Sequence, residues 1–409
     1  MRLLLVDDEP IVLSALARLL RISPRVQAVS TATSGAMALE ALSADRYDAI
    51  ITDLQMPGMS GATLLQHVRD DFPGVVRVVL SGCVDEVVNV QLAPLIHIHL
   101  LKPCNPGDLI EAVRRVSDMS DVLTPAIRLA VTSISGLPST PRIYTDLVTT
   151  LLDIRSTVHD AGRIIARDDA LASKVLQVAN SAWLGLAQEV TSIDRAVTYL
   201  GATTLKAIVL TVEAFRVFDS CDQCTGFSID HHKFHSLLTG RIAARIVERG
   251  RDKEEAFTAG LLHDIGKLVH ASKLPVEYSR LILAAQGQEI HLGELSHGWP
   301  SHATTGAELL KLWGLPPILV DAVRLHHQPV ADVSYITPAL AVHIANSLAH
   351  ESAVAAGEEQ QGNRLNAAVA TREDVIEQIS EWQEIAASEM RALQAEHQIG
   401  VHHPRSSPS

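Results

Sequence analysis

The stretch RLLLVDDEPIVLSALARLL, residues 2–20, holds one complete structural unit. RLLLV is apolar at every position after Arg2, as a strand covered on both faces must be. Asp7 and Asp8 end it, and Pro10 falls in the first turn of an amphipathic helix, PIVLSALARLL. The unit recurs as VQAVS with SGAMALEALS, YDAIITD with GATLLQHVRD, VVRVVLSG with DEVVNVQL, and IHIHLLKP with NPGDLIEAVRRV. Five strands alternating with five helices over residues 1–118 predict a parallel, doubly wound sheet with helices on both faces.

The pattern changes after residue 118. Residues 119–141 contain SISGLPSTPR, with Gly136, Pro138 and Pro141, and read as a linker. Residues 142–350 show helical periodicity without a strand series, in segments such as GRIIARDDALASKVLQVANSAW, HHKFHSLLTGRIAARIV, EEAFTAGLLHDIGKLV, HATTGAELLKLW and PALAVHIANSLAHE. These predict a second, all-α domain. Residues 351–370 are polar and read as a loop. A C-terminal extension, 351–409, then carries one helix over about 371–398, capped by Thr371 with Asp374 three residues on. Its stripe Val375, Ile379, Trp382, Ala386, Met390 and Leu393 is open to two uses, docking on the domain or pairing in a homodimer, with docking the default. The tail VHHPRSSPS reads as disordered.

The totals narrow the function. The chain has 409 residues, 47% hydrophobic and only 4% aromatic, which favours helices packed through aliphatic side chains over an all-β fold. A formal charge of −13 argues against a large nucleic-acid footprint, so no DNA binding is expected. No apolar run reaches a membrane-spanning length, and MRLLLVDDEP lacks the apolar core of a signal peptide. Four cysteines point to a reducing compartment, the cytoplasm. Cys221 and Cys224 form a single CxxC without a second pair, which reads as a surface loop rather than a zinc ribbon.

In a doubly wound sheet, ligands bind at the carboxyl ends of the strands. There lie Asp7 and Asp8 after strand 1, Asp53 after strand 3, Ser81 after strand 4 and Lys102 after strand 5. Three converging carboxylates repel one another unless a hard dication binds, and Mg2+ suits oxygen ligands while keeping positions open for phosphate. A carboxylate, Mg2+, a hydroxyl and a lysine together make a phosphoryl-accepting site. On VDDEP, ITDLQMPGMSG, LSG and LKP, residues 1–118 resemble the receiver domain of two-component response regulators. The resemblance implies a flavodoxin-like five-stranded sheet with Asp53 as phosphoacceptor. It further implies Mg2+ held by Asp7, Asp8, Asp53 and the backbone carbonyl of Gln55, with Ser81 and Lys102 contacting the phosphoryl group. A histidine kinase or phosphotransfer protein would be the donor. One position departs: His99 stands where the family has Tyr or Phe, so the aromatic half of its switch is absent.

In GLLHDIGKLV, residues 260–269, His263 and Asp264 stand side by side in an apolar run. Buried polar neighbours are costly unless paired or metal-bound. Residues 130–350 resemble the HD superfamily in its HDOD branch (HD-related output domain), on GLPSTPRIYTDL, SKVLQVANSAWLG, TSIDRAVTYLGATTLKAIVL, AFTAGLLHDIGKLV, HATTGAELLKLWGLPPILVDAVRLHHQP and AVHIANSLA. Metal-dependent members of that superfamily hydrolyse phosphoesters. The resemblance implies His235 as the first histidine ligand, His263 and Asp264 as the dyad, His302, His326 and His327 as later ligands, and Lys267 as a phosphate contact. A divalent transition metal would be the ion. Asn346 stands where the final Asp belongs, and HHQPVADVSYITP lacks the glycine-rich motif of cyclic-dinucleotide phosphodiesterases. HDOD domains are chiefly regarded as non-catalytic signalling or interaction modules. The reading is therefore a cytoplasmic phosphorelay response regulator whose receiver governs an HDOD module. Its alternative is a receiver-controlled HD-type phosphohydrolase acting on a (cyclic di)nucleotide, and a metal- or nucleotide-binding sensor stands beside both. The downstream partner is unknown from sequence.

Overall fold

The computed structural model describes the chain apart from residues 83–94, 135–146, 148–149, 152–155, 169–170, 173–174, 177–178, 180–189, 219–222, 249, 286–288, 357–364 and 402–409. The expected helix DEVVNVQL, the loop SISGLPSTPR beyond Ile134, Cys221 and nearly all of the tail lie outside the described residues. The chain divides into two compact units, Met1–Arg142 with Glu308–Leu315 and Ile143–Ala307 with Pro316–Ser409, so that the helix beginning at His302 starts in the second and ends in the first.

The first unit is built on strands β1 (Arg2–Val6), β2 (Ala28–Ala32), β3 (Ala49–Asp53), β4 (Val76–Ser81) and β5 (Ile98–Leu101), all parallel in the order β2-β1-β3-β4-β5. The apolar runs are the buried strands, as their lack of alternation requires: β4 is buried at every position and β3 at all but Asp53. Helices α1 (Pro10–Arg21), α2 (Gly35–Ala44), α3 (Gly61–Asp71) and α4 (Pro106–Val122) cover the sheet. Ser34 and Ser60 cap α2 and α3 by accepting the backbone N–H of Met37 and Thr63. Gly61 is required by contact: a Cβ there would lie 1.9 Å from the Asp53 carbonyl oxygen, so α3 begins pressed against the end of β3.

Within the stretch 119–141 read as a linker, the described residues 119–134 are largely helical. Helix α4 continues to Val122, and α5 spans Pro125–Ser133. Thr124 caps α5 through the N–H of Ile127, Pro125 fits its first turn, and Ile127, Ala130 and Val131 form a buried face. The glycine and prolines that suggested a linker all lie downstream of this signal. Arg77 of β4 is fully buried and donates Nε–H to the Leu95 carbonyl at 2.7 Å. His97 and Arg77 both reach the Thr132 carbonyl at the end of α5, His97 at 2.9 Å.

The second unit is helical: α6 (Val158–Ile165), α7 (Ile193–Val217), α8 (Ile229–Ile246), α9 (Gly250–Leu262), α10 (Ile265–Lys273), α11 (Pro275–Ala285), α12 (Ile290–Ser296), α13 (His302–Leu312), α14 (Pro317–Leu325), α15 (Pro338–Ala355), α16 (Ala367–Ala370) and α17 (Glu373–Val401). Helix α7 is interrupted at Gly201, where φ is 71°. The loop expected from 351 begins later, because α15 continues to Ala355. Thr371 does not cap the last helix. It ends α16, donating its hydroxyl to Ala368, while Asp374 is taken by the guanidinium of Arg372 at 2.6 and 2.9 Å. The stripe Val375, Trp382, Ala386, Met390 and Leu393 is buried, and α17 docks on α8 and α15 of its own chain. The buried Glu389 adds an ion pair to Arg245 of α8 at 3.4 Å.

One contact governs how the helices meet. A Cβ on Gly266 of α10 would lie 2.0 Å from the carbonyl oxygen of His302 and 2.8 Å from the backbone nitrogen of Gly306, so α10 and α13 touch backbone to backbone. Gly266→Ala must push them apart, an overpacking cost of about 1–3 kcal/mol. Thermal unfolding should show a lowered midpoint for this variant. Gly107→Ala should leave it near wild type, since there a Cβ meets only Asn105 Oδ1 at 3.6 Å. Equal midpoints would refute the close approach.

Candidate functional site

At the carboxyl edge of the sheet, β1, β3 and β5 deliver three charges to one point. Lys102 Nζ donates to Asp7 Oδ2 at 2.9 Å and to Asp53 Oδ2 at 2.8 Å. Asp7, only 1% exposed, also accepts the backbone N–H of Glu9 at 2.9 Å. Asp7, Asp8 and Asp53 each offer an oxygen within 4.8 Å of the others. Gln55 lies beside Asp53, its backbone N–H 3.4 Å from Asp53 Oδ1. Burial favours the neutral amine of Lys102, but the hydrogen bonds it donates to Asp53 and Asp7 outweigh it and raise its pKa. This lysine holds two carboxylates together where a dication would add the missing positive charge, so the donor set fits Mg2+.

Ser81 ends β4, buried, with its Oγ 2.9 Å from His99 Nε2 on β5. Burial lowers the pKa of His99. The residue that departs from the family pattern is thus bonded to the switch hydroxyl.

The helical unit gathers its histidines around Asp264, which lies between α9 and α10 and is 1% exposed. His235 comes from α8, His263 follows α9, His302 opens α13, and His326 and His327 follow α14. On one side, Asp264 Oδ2 stands 2.6 Å from Lys267 Nζ, 3.3 Å from His263 Nε2 and 4.0 Å from His235 Nε2. On the other, Oδ1 stands 3.1 Å from His302 Nε2 and 3.6 Å from His326 Nε2. His327 Nε2 is 3.0 Å from His302 Nε2. Asp264, His302, His326 and His327 form one four-ligand group, and His235, His263 and Asp264 a second of three. Lys267, expected at a phosphate, is bonded to the carboxylate instead.

Tautomers follow from the partners, since a carbonyl or carboxylate can only accept. His263 Nδ1–H donates to the Gly260 carbonyl at 2.8 Å, His302 Nδ1–H to Glu294 Oε2 at 2.7 Å, and His326 Nδ1–H to the Val323 carbonyl at 2.6 Å. In the neutral rings all three Nε2 lone pairs therefore face Asp264. His263 Nε2 and Asp264 Oδ1 have no hydrogen-bond partner although both are buried. Converging lone pairs without protons between them fit a cation. His343 supports the arrangement by donating Nδ1–H to the His326 carbonyl at 2.7 Å. His235 differs: Asn346 Oδ1 lies 2.9 Å from its Nε2, which therefore carries the proton.

Burial would raise the carboxyl pKa of Asp264, but His263 and Lys267 beside it hold it well below the usual range. Burial pushes His326 down to about 3. His302 is opposite: burial would lower it, yet Glu294 and Asp264 on either side raise its pKa. Burial would also raise Glu294, but His302 beside it holds it low. Sequence reasoning missed Glu294, which lies in no recognisable motif, and His343, which stands in AVHIANSLA but at no position the family uses as a ligand. The only signal for Glu294 is an acid in the helical segment eight residues before His302.

The HDOD domain family matches residues 137–329, and the response regulator receiver domain family matches residues 3–114. An uncharacterized protein of Treponema pallidum is 26% identical over 235 residues, 54% of this chain and 44% of that protein. The transcriptional regulatory protein UhpA of Escherichia coli is 33% identical over 143 residues, 34% of this chain and 69% of UhpA. A solved structure from Marinobacter aquaeolei, 22% identical, covers 69% of this chain and 66% of its own with a TM-score of 0.51, a likeness of fold. The chain thus spans less than half of the Treponema relative. Among the described residues, no helix is long and apolar enough to cross a membrane. A sheet of receiver order with its acidic edge, followed by a helical unit around a His-Asp cluster, agrees with both family matches, and the chain belongs to the response regulators as a receiver domain fused to an HDOD domain.

Proposed function

We propose that the receiver accepts a phosphoryl group on Asp53 from a histidine kinase or phosphotransfer protein, and that its phosphorylation state governs the HDOD domain as a signalling output. The observation that carries this reading is Lys102 bridging Asp7 and Asp53 at the strand ends. An Asp53 oxygen would form the new P–O bond as the donor's P–N bond breaks. Lys102 would turn part of its charge to the transferred group. Mg2+, held by Asp7, Asp8, Asp53 and the Gln55 carbonyl, would neutralise charge developing on the phosphoryl oxygens. Ser81 can donate its hydroxyl to the new group while accepting from His99 Nε2–H.

With a small phosphoryl donor and Mg2+, wild type should become labelled and Asp53→Asn should not. Lys102→Ala should label about 100-fold more slowly. Label retained at position 53 in Asp53→Asn would remove Asp53 as the acceptor.

A second reading concerns the helical unit, and the fixed Nδ1–H tautomers of His263, His302 and His326 favour it. One divalent transition metal would be held by Asp264, His302, His326 and His327, a nitrogen-rich set suited to zinc-like ions. Of the six ligands the resemblance implies, His235 and His263 form the less available half, because Asn346 occupies His235. Such a centre would polarise a phosphoester or activate water if the domain hydrolyses one. Lys267 would have to leave Asp264 to meet the substrate.

Chelator-treated protein should regain about one zinc ion per chain, and zinc at 100 times its Kd should stabilise the fold by about 2.7 kcal/mol. His302→Ala should abolish this gain and His235→Ala should keep it. Equal loss in both would instead favour a centre using both halves. No zinc uptake by wild type would leave the HDOD domain as a metal-free module.

A further inference from the structure

The carboxylate of Glu294 is buried on α12 and lies against the far side of His302. Its Oε2 accepts both His302 Nδ1–H at 2.7 Å and the His302 backbone N–H at 2.9 Å. Its Oε1 has no hydrogen-bond partner. The nearest ring, His270, stands 3.5 Å away through Nδ1, but that nitrogen accepts from Trp299 Nε1–H at 3.3 Å. His270 Nε2 is turned to Thr305 Oγ1 at 3.0 Å. His270 therefore presents a lone pair, and His302 is the ring that supplies Glu294 with protons.

The imidazole of His302 thus stands between two buried carboxylates, Glu294 on Nδ1 and Asp264 Oδ1 on Nε2. A neutral ring can donate to only one of them, and Glu294 has the better contact by 0.4 Å (3.1 Å against 2.7 Å). In the neutral ring a lone pair then faces Asp264 across 3.1 Å, and a bound cation would satisfy both, as a second proton on the ring does when the ion is absent. The charges agree: Asp264 and Glu294 contribute two negatives and Lys267 one positive. A buried net negative charge accommodates a divalent ion and leaves it one surplus positive charge, enough to attract an anionic ligand.

We infer that Glu294 is a positioning residue for the metal centre, holding His302 with Nε2 toward the ion and strengthening that nitrogen as a donor. The inference rests on the metal reading given above. Glu294 touches neither the ion nor Asp264 and acts through the ring, as carboxylate–histidine pairs do behind metal ligands.

The bland alternative is that Glu294 only tethers the start of α13 through the His302 backbone N–H. Glu294→Gln separates the two, because the amide oxygen keeps the volume and both accepted bonds but removes the charge. Zinc affinity of the full chain is measured by competition with a chromophoric chelator, with circular dichroism and the metal-free unfolding midpoint as checks on the fold. Zinc binding should weaken about 10- to 100-fold in Glu294→Gln. In a His302→Asn background the same change should add nothing, since its route is gone. Unchanged zinc affinity in Glu294→Gln with wild-type zinc binding intact would overturn the role of Glu294 alone. Failure of wild type to bind zinc would overturn the metal reading itself. A second measurement needs no variant. Long-range proton–nitrogen NMR of the wild-type histidine rings should show zinc shifting His302 Nε2 while Nδ1 keeps its proton. Coordination at Nδ1 would overturn the proposal.

Discussion

A carboxylate that is 1% exposed cannot rely on water, so its charge must be answered by its neighbours, and Asp264 sets that demand on the helical unit. Lys267 answers it directly, and histidines from α8, α13 and the turns after α9 and α14 converge around it. His235 comes from α8, His302 from the first residue of α13, and His326 from the turn after α14, each where a helix end or a buried face permits close approach. Their packing depends on residues with no chemistry of their own. Gly266 lets α10 rest on the backbone of His302, and without that contact the ring could not stand 3.1 Å from Asp264.

The receiver meets the same problem with fewer groups. Asp7 is buried while Asp53 keeps part of its side chain in reach of solvent, so one lysine suffices to hold both. The two acidic centres differ in exposure: Asp53 is open enough to be reached by another protein, as the proposed phosphoryl transfer requires, whereas Asp264 is enclosed. Parallel strands make this possible because all five carboxyl ends lie on one edge, so residues 95 apart in sequence, Asp7 and Lys102, become neighbours.

Much of this was legible in the sequence. The buried strands announced themselves as unbroken apolar runs, and the strand-end rule brought Asp7, Asp53, Ser81 and Lys102 to one edge. The order of histidines was legible through family resemblance rather than through spacing. Three things were not. Tautomers depend on acceptors such as the Gly260 and Val323 carbonyls, which no side-chain pattern encodes. Asn346 signalled a lost ligand, but only coordinates reveal that it also engages His235. The helix Pro125–Ser133 was hidden behind the glycine and prolines that follow it, although Thr124 and Pro125 mark its start.

That helix has a consequence for where the receiver ends. Arg77 is fully enclosed within the sheet, and its guanidinium hydrogen bonds reach carbonyls, including that of Thr132. His97 leans on the same oxygen. A fragment cut at residue 118, where the strand-and-helix alternation stops, would remove this acceptor and the apolar face of Ile127, Ala130 and Val131. A cation inside the sheet would then lose part of its solvation shell, and the remaining protein would expose surface it normally hides. The buried arginine thus takes part of its hydrogen bonding from chain that lies past the end of the repeating pattern.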